Sequence, residues 1–324
     1  MTQLATALAA IAVGVGGVLA LFWVLNAGVD RLSETWQDRL RPLVFIGPAT
    51  IVVGLFLLLP AVDTLRRSFL GPDSQEFVGL DNYRYLATDP SVRTAILNNL
   101  LWLVIVPAVS VAIGLAVAVL ADRLSDRWEK ITKSMIFLPM AISFVGAGTI
   151  WGFIYAWRAP DTPQIGLLNA VWTSFGGEPV GWLQNFAIND FALMVIMIWL
   201  QAGFAMVLLS AAIKNVPTDT IEAAKVDGAT EFEIFWRVTV PQIRSTIVVV
   251  TTTILILVLK IFDIVYVMTN GNYGTDVIAN LFIREMFNFG QFGRAAVLVV
   301  FLIVVTVPFM VLNIRRFREQ EAMR

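Results

Sequence analysis

Few side chains in this sequence are equipped for chemistry, and they fall into two groups. The first consists of polar residues stranded in apolar runs. Gln201 lies between Trp199 and Phe204 in a stretch, 191–213, that contains no Asp, Glu, Lys or Arg. Lys260 and Asp263 interrupt a second run that is otherwise apolar from 245 to about 268. Polar groups placed in such runs beside aromatic faces can bind a polar ligand. Each residue also has a plainer reading. Gln201 facing lipid would be costly, and an interhelical hydrogen bond would satisfy it as well as a ligand would. Lys260 and Asp263, spaced i, i+3, are neighbours on one helix face. Lys260 lies 16 residues beyond Arg244, or about 24 Å at 1.5 Å per residue. In that outer third of a membrane a lysine can snorkel, so an ion pair bracing the helix stands beside the functional reading of intramembrane charge.

The second group is the polar segment 214–241, KNVPTDTIEAAKVDGATEFEIFWRVTVP. Its pattern predicts two short helices. Asp219 with Glu222 reads as a capping box for the first, whose surface of Ile221, Ala223, Ala224 and Val226 is small and apolar. Gly228 suits the left-handed residue that ends such a helix. Thr230 with Glu233 forms a second box before Phe232, Ile234, Phe235 and Trp236, and Pro241 is expected to end that helix. A helix–Gly–helix elbow of this length fits either packing along a membrane surface or docking to a partner.

Much other chemistry is excluded. The 324 residues include no Cys and no His, which removes disulfides, thiolate nucleophiles, Cys/His zinc sites and imidazole bases. The net charge of −1 gives no basic footprint for nucleic acid. No segment matches the phosphate loop G-x-x-x-x-G-K-[ST], so ATP hydrolysis by this chain is not expected.

The elements that carry both groups are apolar. The chain is 58% hydrophobic and 15% charged, and charge-free stretches run over 1–29, 42–62, 94–121, 134–157, 191–213, 245–259 and 295–314. Crossing a bilayer core takes about 20 apolar residues, so an all-α membrane protein with about seven transmembrane helices is predicted. Of 23 Lys and Arg residues, 15 fall in the segments after the first, third, fifth and seventh helices, the last ending at Arg324, and 7 fall on the opposite side. By the positive-inside rule the amino terminus is outside, and the carboxyl terminus and the 214–241 loop are cytoplasmic. The first stretch lacks the basic start of a signal peptide and reads as a retained helix. Its Gly14, Gly16 and Gly17 suit close helix packing. The larger outer segments, 68–93 and 158–190, carry Tyr83, Tyr85, Trp172 and Trp182, which fit interfacial anchoring or a docking surface for an external protein.

Glu222-Ala223-Ala224, Asp227-Gly228-Ala229, Phe235 and Val240-Pro241 together resemble the EAA signature of bacterial ABC importer permeases. The stretch from Phe262 to Gly271, FDIVYVMTNG, is similar to the segment that follows this signature in carbohydrate permeases of the maltose type. Asn270-Gly271-Asn272-Tyr273-Gly274-Thr275 replaces the commoner Gly-Gly-Pro ending and looks more like the α-glucoside branch. The resemblance covers the chain from about Pro42 to the end. It divides the sequence into an additional helix and connector, 1–41, and a type I importer transmembrane domain, 42–324.

What the resemblance implies is a multi-pass subunit of a bacterial inner membrane that forms half of a sugar pathway. A second permease, expected to be a different chain, would supply the other half. Two ATPase subunits would bind the ATP, leaving this chain without a cofactor or catalytic residue, and an extracytoplasmic binding protein would deliver the sugar. Glu222, Ala223, Ala224, Asp227, Gly228 and Ala229 would seat the elbow in an ATPase cleft. Trp199, Gln201, Phe204, Lys260 and Asp263 are the candidates along the sugar pathway. A stand-alone secondary transporter or channel would call for inverted repeats with broken helices, and a non-conducting scaffold would leave the elbow without a purpose.

Overall fold

The computed structural model describes residues 2–160 and 162–322. Met1, the Asp161 of the second outer segment, Met323 and the tail residue Arg324 lie outside the described residues. The chain is built from helices: α1 Thr2–Val29, α2 Glu34–Val53, α3 Leu59–Arg67, α4 Asp81–Thr88, α5 Pro90–Ala121, α6 Asp126–Phe137, α7 Phe144–Ile154 and α8 Leu167–Ser174. These are followed by α9 Asn189–Lys214, α10 Thr218–Val226, α11 Glu231–Ile234, α12 Val240–Gln242, α13 Arg244–Leu259, α14 Asp263–Met268, α15 Ile278–Ile283 and α16 Phe292–Ala322. Among the described residues five helices are long and apolar enough to cross a bilayer, or seven if each of two sharply bent pairs is one span.

The chain divides into two compact units, Met1–Arg66 and Arg67–Arg324. In the first, α1 and α2 meet through stacked Phe22 and Phe45 rings 6.0 Å apart. Their connection is fastened by Asp30, which pairs with Arg41 at 3.2 Å and accepts from Asn26 at 3.0 Å. Position 41 therefore falls inside α2, and the helix start precedes the charge-free run at 42. A π turn, Gly54–Leu58, joins α2 to α3. Proline disrupts a helix by clashing with the carbonyl four residues back. For Pro60 that residue is Phe56, inside the π turn, where the widened spiral absorbs the conflict.

In the second unit α9 is the hub. It is apolar on every side, as a helix enclosed by others must be, and Leu193, Met194, Ile196, Met197, Leu200, Met206 and Leu209 are fully buried. Two glycines allow its neighbours to come close. A β-carbon on Gly114 of α5 would lie 2.6 Å from the Ala205 Cβ, and one on Gly203 would lie 2.4 Å from the Ile136 carbonyl oxygen of α6. Small residues that bring backbones together are the usual means of packing helices in lipid.

Two predicted spans are broken. The stretch 134–157 is not one helix: α6 and α7 meet at 104° through a 3-10 turn, Leu138–Ala141. Pro139 removes a donor there, and Ser143 restarts the chain by accepting from the Gly146 amide at 3.1 Å. The run from 245 to 268 is not continuous either. α13 stops at Leu259, and Lys260 (φ −113°, ψ 28°) and Phe262 (φ −142°, ψ −59°) are non-helical before α14 begins. Leu259, Ile261, Ile264 and Val265 are all buried, a spacing that no single helix face can supply, so packing overrides helix continuity.

Pro241 does not end its helix as predicted. A π turn, Phe235–Thr239, precedes it and contains Arg237, four residues back, so the helix continues through α12. The bend comes at Ile243, where the chain turns by 69° into α13.

Beyond α14, residues 270–276 form a tight loop in which Asn270, Gly271, Tyr273 and Gly274 all have positive φ. Three asparagines hold it. Asn98 donates to the Gly274 and Asp276 carbonyls at 2.7 and 2.9 Å, and Asn189 donates to the Tyr273 carbonyl at 2.8 Å. Asn99 accepts from the Ile278 amide at 2.9 Å. The segment that looks most like the α-glucoside branch is thus fixed to α5 and α9.

Candidate functional site

The elbow between α9 and α13 is built by local chemistry. α10 begins directly after Pro217, with no side-chain cap, so Asp219 stands in its first turn and does not cap it. The chain leaves α10 through Gly228 at φ 82°. The Gly228 amide donates to Lys225 O at 3.1 Å and the Ala229 amide to Ala224 O at 3.0 Å, the paired bonds of a Schellman ending. The second predicted capping box is present. The Thr230 amide donates to Glu233 Oε2 at 3.0 Å, and the Glu233 amide donates to Thr230 Oγ1 at 3.3 Å. The Thr230 amide, followed by its hydroxyl, holds the Glu233 carboxyl below the usual carboxylate range, with Arg237 adding to the effect. Lys225 and Glu231, 3.3 Å apart, link the two helices across the turn.

Ile234 anchors the elbow in the protein. Ile221 and Phe235 are half-buried, while Val226 is 87% exposed, Phe232 72%, and Trp236, on which the Phe232 and Phe235 rings pack, is also exposed. Ala224, Asp227, Gly228 and Ala229 line a notch of about 330 Å³ together with Glu233, Arg237 and Val238. Glu222 and Ala223 are exposed outside that notch. Among the described residues Glu222 makes no hydrogen bond or ion pair, so its carboxylate is open to a partner. The arrangement offers small and apolar surface, a polar notch and a spare charge on a stiff frame.

A second feature lies beside α9. A cavity of about 430 Å³ is lined by Met140, Ile142, Ser143, Phe144, Val145, Gln201, Leu257 and Asp263. Both broken spans contribute, since the 138–143 turn forms one wall and the start of α14 another. Gln201 is 6% exposed and faces this space, so the structure brings Gln201 and Asp263 to one cavity. Lys260 does not join them. It is exposed at the end of α13, and the break that follows removes the predicted shared face and the bracing ion pair with Asp263. Trp199 is also outside the cavity lining and sits edge-on to Trp151 at 5.8 Å, while Phe204 packs against the buried core. Ser143 and the tight-loop asparagines were not singled out by sequence. Ser143 follows Pro139 at a helix-start position, which is a readable signal, whereas Asn98 and Asn99 lie inside an apolar run and disclose nothing locally.

Comparison with known proteins places this geometry in context. Residues 110–316 match the family described as binding-protein-dependent transport system inner membrane component. The chain is 55% identical over 281 residues to the osmoprotective compounds uptake permease protein GgtC of Synechocystis sp., covering 87% of this chain and all of that one. It is 46% identical over 329 residues to the alpha-glucoside transport system permease protein AglF of Rhizobium meliloti, covering 97% of each. Its fold matches a crystal structure of a bacterial ABC transporter involved in the import of the acidic polysaccharide alginate. That match has a TM-score of 0.75 at 23% identity and covers 88% of this chain and 99% of that one.

Proposed function

From the premise that the chain belongs to the binding-protein-dependent transport system inner membrane components, we propose that it is the permease that carries a glucoside-like, polyhydroxylated solute inward in an ABC importer. The chain is a multi-pass membrane protein and a translocation subunit, not an enzyme. The observation that carries the further reading is the elbow. A stiff helix–Gly–helix element with exposed Val226, Phe232 and Glu222 is shaped to enter a cleft in another protein, and ATPase subunits of the importer are the partners that reading requires. Glu222, Ala223, Ala224, Asp227, Gly228 and Ala229 make the contact. An extracytoplasmic binding protein delivers the solute, and a second, different permease chain completes the pathway.

The mechanism follows from rigid parts. ATP bound by the ATPase pair draws the two subunits together and moves each seated elbow. The Schellman ending and the Thr230–Glu233 box keep α10 and α11 from yielding, so displacement passes into α9 and α13 instead of being lost in the loop. These helices carry Gln201 and lead to Asp263, and their movement opens or closes the cavity that both residues face. Gln201 donates to and accepts from solute hydroxyls, and Asp263 accepts from them. The relative named for alpha-glucoside transport supports a hydroxyl-rich cargo. The tight loop 270–276 also supports the glucoside reading.

The experiment is purification of the tagged chain, expressed with its neighbouring genes, followed by reconstitution with radiolabelled trehalose, maltose and sucrose as probes. The proposal expects an ATPase subunit to co-purify and at least one probe to enter vesicles only with ATP and binding protein. Uptake by the chain alone, driven by an ion gradient, would instead identify a secondary transporter.

A further inference from the structure

A cluster of charges at the base of the bundle has no part in the account so far. Glu129, in the first half of α6, is only 9% exposed. Its Oε1 accepts from the Lys133 amine of its own helix and, at 2.5 Å, from the Lys214 amine of α9. The Lys133 amine also donates to the Ser210 hydroxyl of α9. Lys214 Nζ lies 3.6 Å from Asp122 Oδ1, the residue that caps the end of α5. Two helices thus meet at the Glu129 carboxylate, and Lys214 extends the cluster to the end of α5.

The Lys133–Glu129 pair is largely buried, whereas Lys214 is about half exposed, so the pairing with Lys214 adds little stability of its own and matters by fixing one arrangement of α6 against α9. The position of this cluster decides what it fixes. Lys214 is the last residue of α9, and only Asn215, Val216 and Pro217 separate it from α10. A displaced elbow therefore pulls on Lys214 first. At its other end α6 runs into the 138–141 turn and Ser143, which form the cavity wall opposite Gln201. Between these points α6 and α9 are in backbone contact at Gly203 and Ile136.

We propose that Glu129 is a positioning residue that locks α6 to the base of α9 through Lys214, so that movement of the elbow is delivered to the Ile142–Val145 wall of the cavity. Without the lock, α9 still moves with the elbow while α6 lags, and ATP is spent without closing the wall. The transport half of this inference rests on the coupling role proposed above. The mechanical half stands on the geometry alone.

The test uses Glu129→Gln, Lys214→Met and Lys214→Arg in the complete complex, reconstituted with binding protein and trehalose as the probe. Uptake per ATP hydrolysed is expected to fall about fivefold or more in Glu129→Gln and Lys214→Met, the lower range of coupling between sites. Hydrolysis itself is expected to stay within about twofold, and Lys214→Arg is expected to restore the ratio because it keeps the charge. If Glu129→Gln fails to assemble, Lys214→Met, which leaves Glu129 paired with Lys133, decides. An unchanged ratio in an assembled variant overturns the proposal, as does a parallel fall of uptake and hydrolysis in all three. A second readout needs no transport. Because the chain has no cysteine, spin labels on Lys130→Cys in α6 and Thr220→Cys in α10 report one distance. It should be narrowly distributed with Glu129 and broadened in Glu129→Gln. Equal widths overturn the mechanical link. A wild-type complex that moves no trehalose counts against the proposed cargo, and the label distance then tests the lock by itself.

Discussion

The Ala229 amide donates to the Ala224 carbonyl at 3.0 Å across Gly228, whose φ is 82°. With the Gly228 amide bond to the Lys225 carbonyl, it ends α10 at a fixed angle to α11. A β-carbon added at Gly228 would meet nothing within 4 Å, so a side chain there is resisted by backbone strain alone. That strain is about 1–2 kcal/mol for an ordinary residue and more for a β-branched one. Gly228→Asn should therefore keep the amide of Ala229 protected in hydrogen exchange, because asparagine tolerates the left-handed region, whereas Gly228→Val should lose the protection. Equal protection in the two variants would show that the positive φ does not hold the elbow.

The Thr230–Glu233 box gives the elbow a pH dependence of defined sign. The folded Glu233 carboxyl titrates below its ordinary value because Thr230 donates to the ionised form. A group depressed in this way stabilises the fold above its unfolded pKa and loses that contribution as pH falls through the folded pKa. Protection factors of the Glu233 and Ile234 amides, both bonded to Thr230, should be constant from neutral pH down to the ordinary carboxylate range and fall below it. Thr230→Ala should lower them at every pH, by about 1 kcal/mol of local stability. Protection rising on acidification would contradict the capping role.

Gly114 and Ala205 set the spacing of α5 and α9. Gly114→Val should cost more than the ~1–3 kcal/mol typical of an overfilled core, since the new atoms meet backbone as well as a side chain. The measurement is the melting temperature in detergent, with Gly54→Val as the control because a β-carbon there meets nothing within 4 Å. A Gly114 variant as stable as the control would mean the helices can separate freely.

The cavity takes Asp263 and Gln201 into its lining and leaves out Lys260, which the sequence pairs with Asp263. Gln201→Leu removes a hydrogen-bonding group from the cavity and should raise the KM for trehalose about 2–10-fold, the worth of one hydrogen bond. Lys260→Met changes an exposed side chain outside the lining and should leave KM unchanged. The opposite pattern would move the pathway away from Gln201.

How much was legible follows from how local each feature is. Gly228 and the Thr230–Glu233 box involve neighbours within three or four residues, and their residue types announce them. Asp219 misleads because Pro217 takes the cap position two residues earlier. The bend after α6 has a signal in Pro139 and Ser143, outweighed in the reading by an unbroken apolar run. The break at 260–262 has none, with no glycine or proline there, and it arises from burying Leu259, Ile261 and Ile264 against several neighbours at once. Asn98 and Asn99 look like incidental polar residues because their partners lie 176 and 179 residues away, and Glu129 shows locally only its i, i+4 partner Lys133, while Lys214 lies 85 residues away.

The central claim is that the elbow transmits ATP-driven movement into the membrane helices. The most direct measurement is trehalose uptake and ATP hydrolysis by reconstituted complexes carrying wild-type chain or Gly228→Val, compared at equal assembly with the ATPase subunits. The account predicts that the variant chain inserts normally, since its membrane helices are untouched, and that uptake is lost. Normal uptake by an assembled Gly228→Val complex would contradict it, leaving 214–241 as a connector.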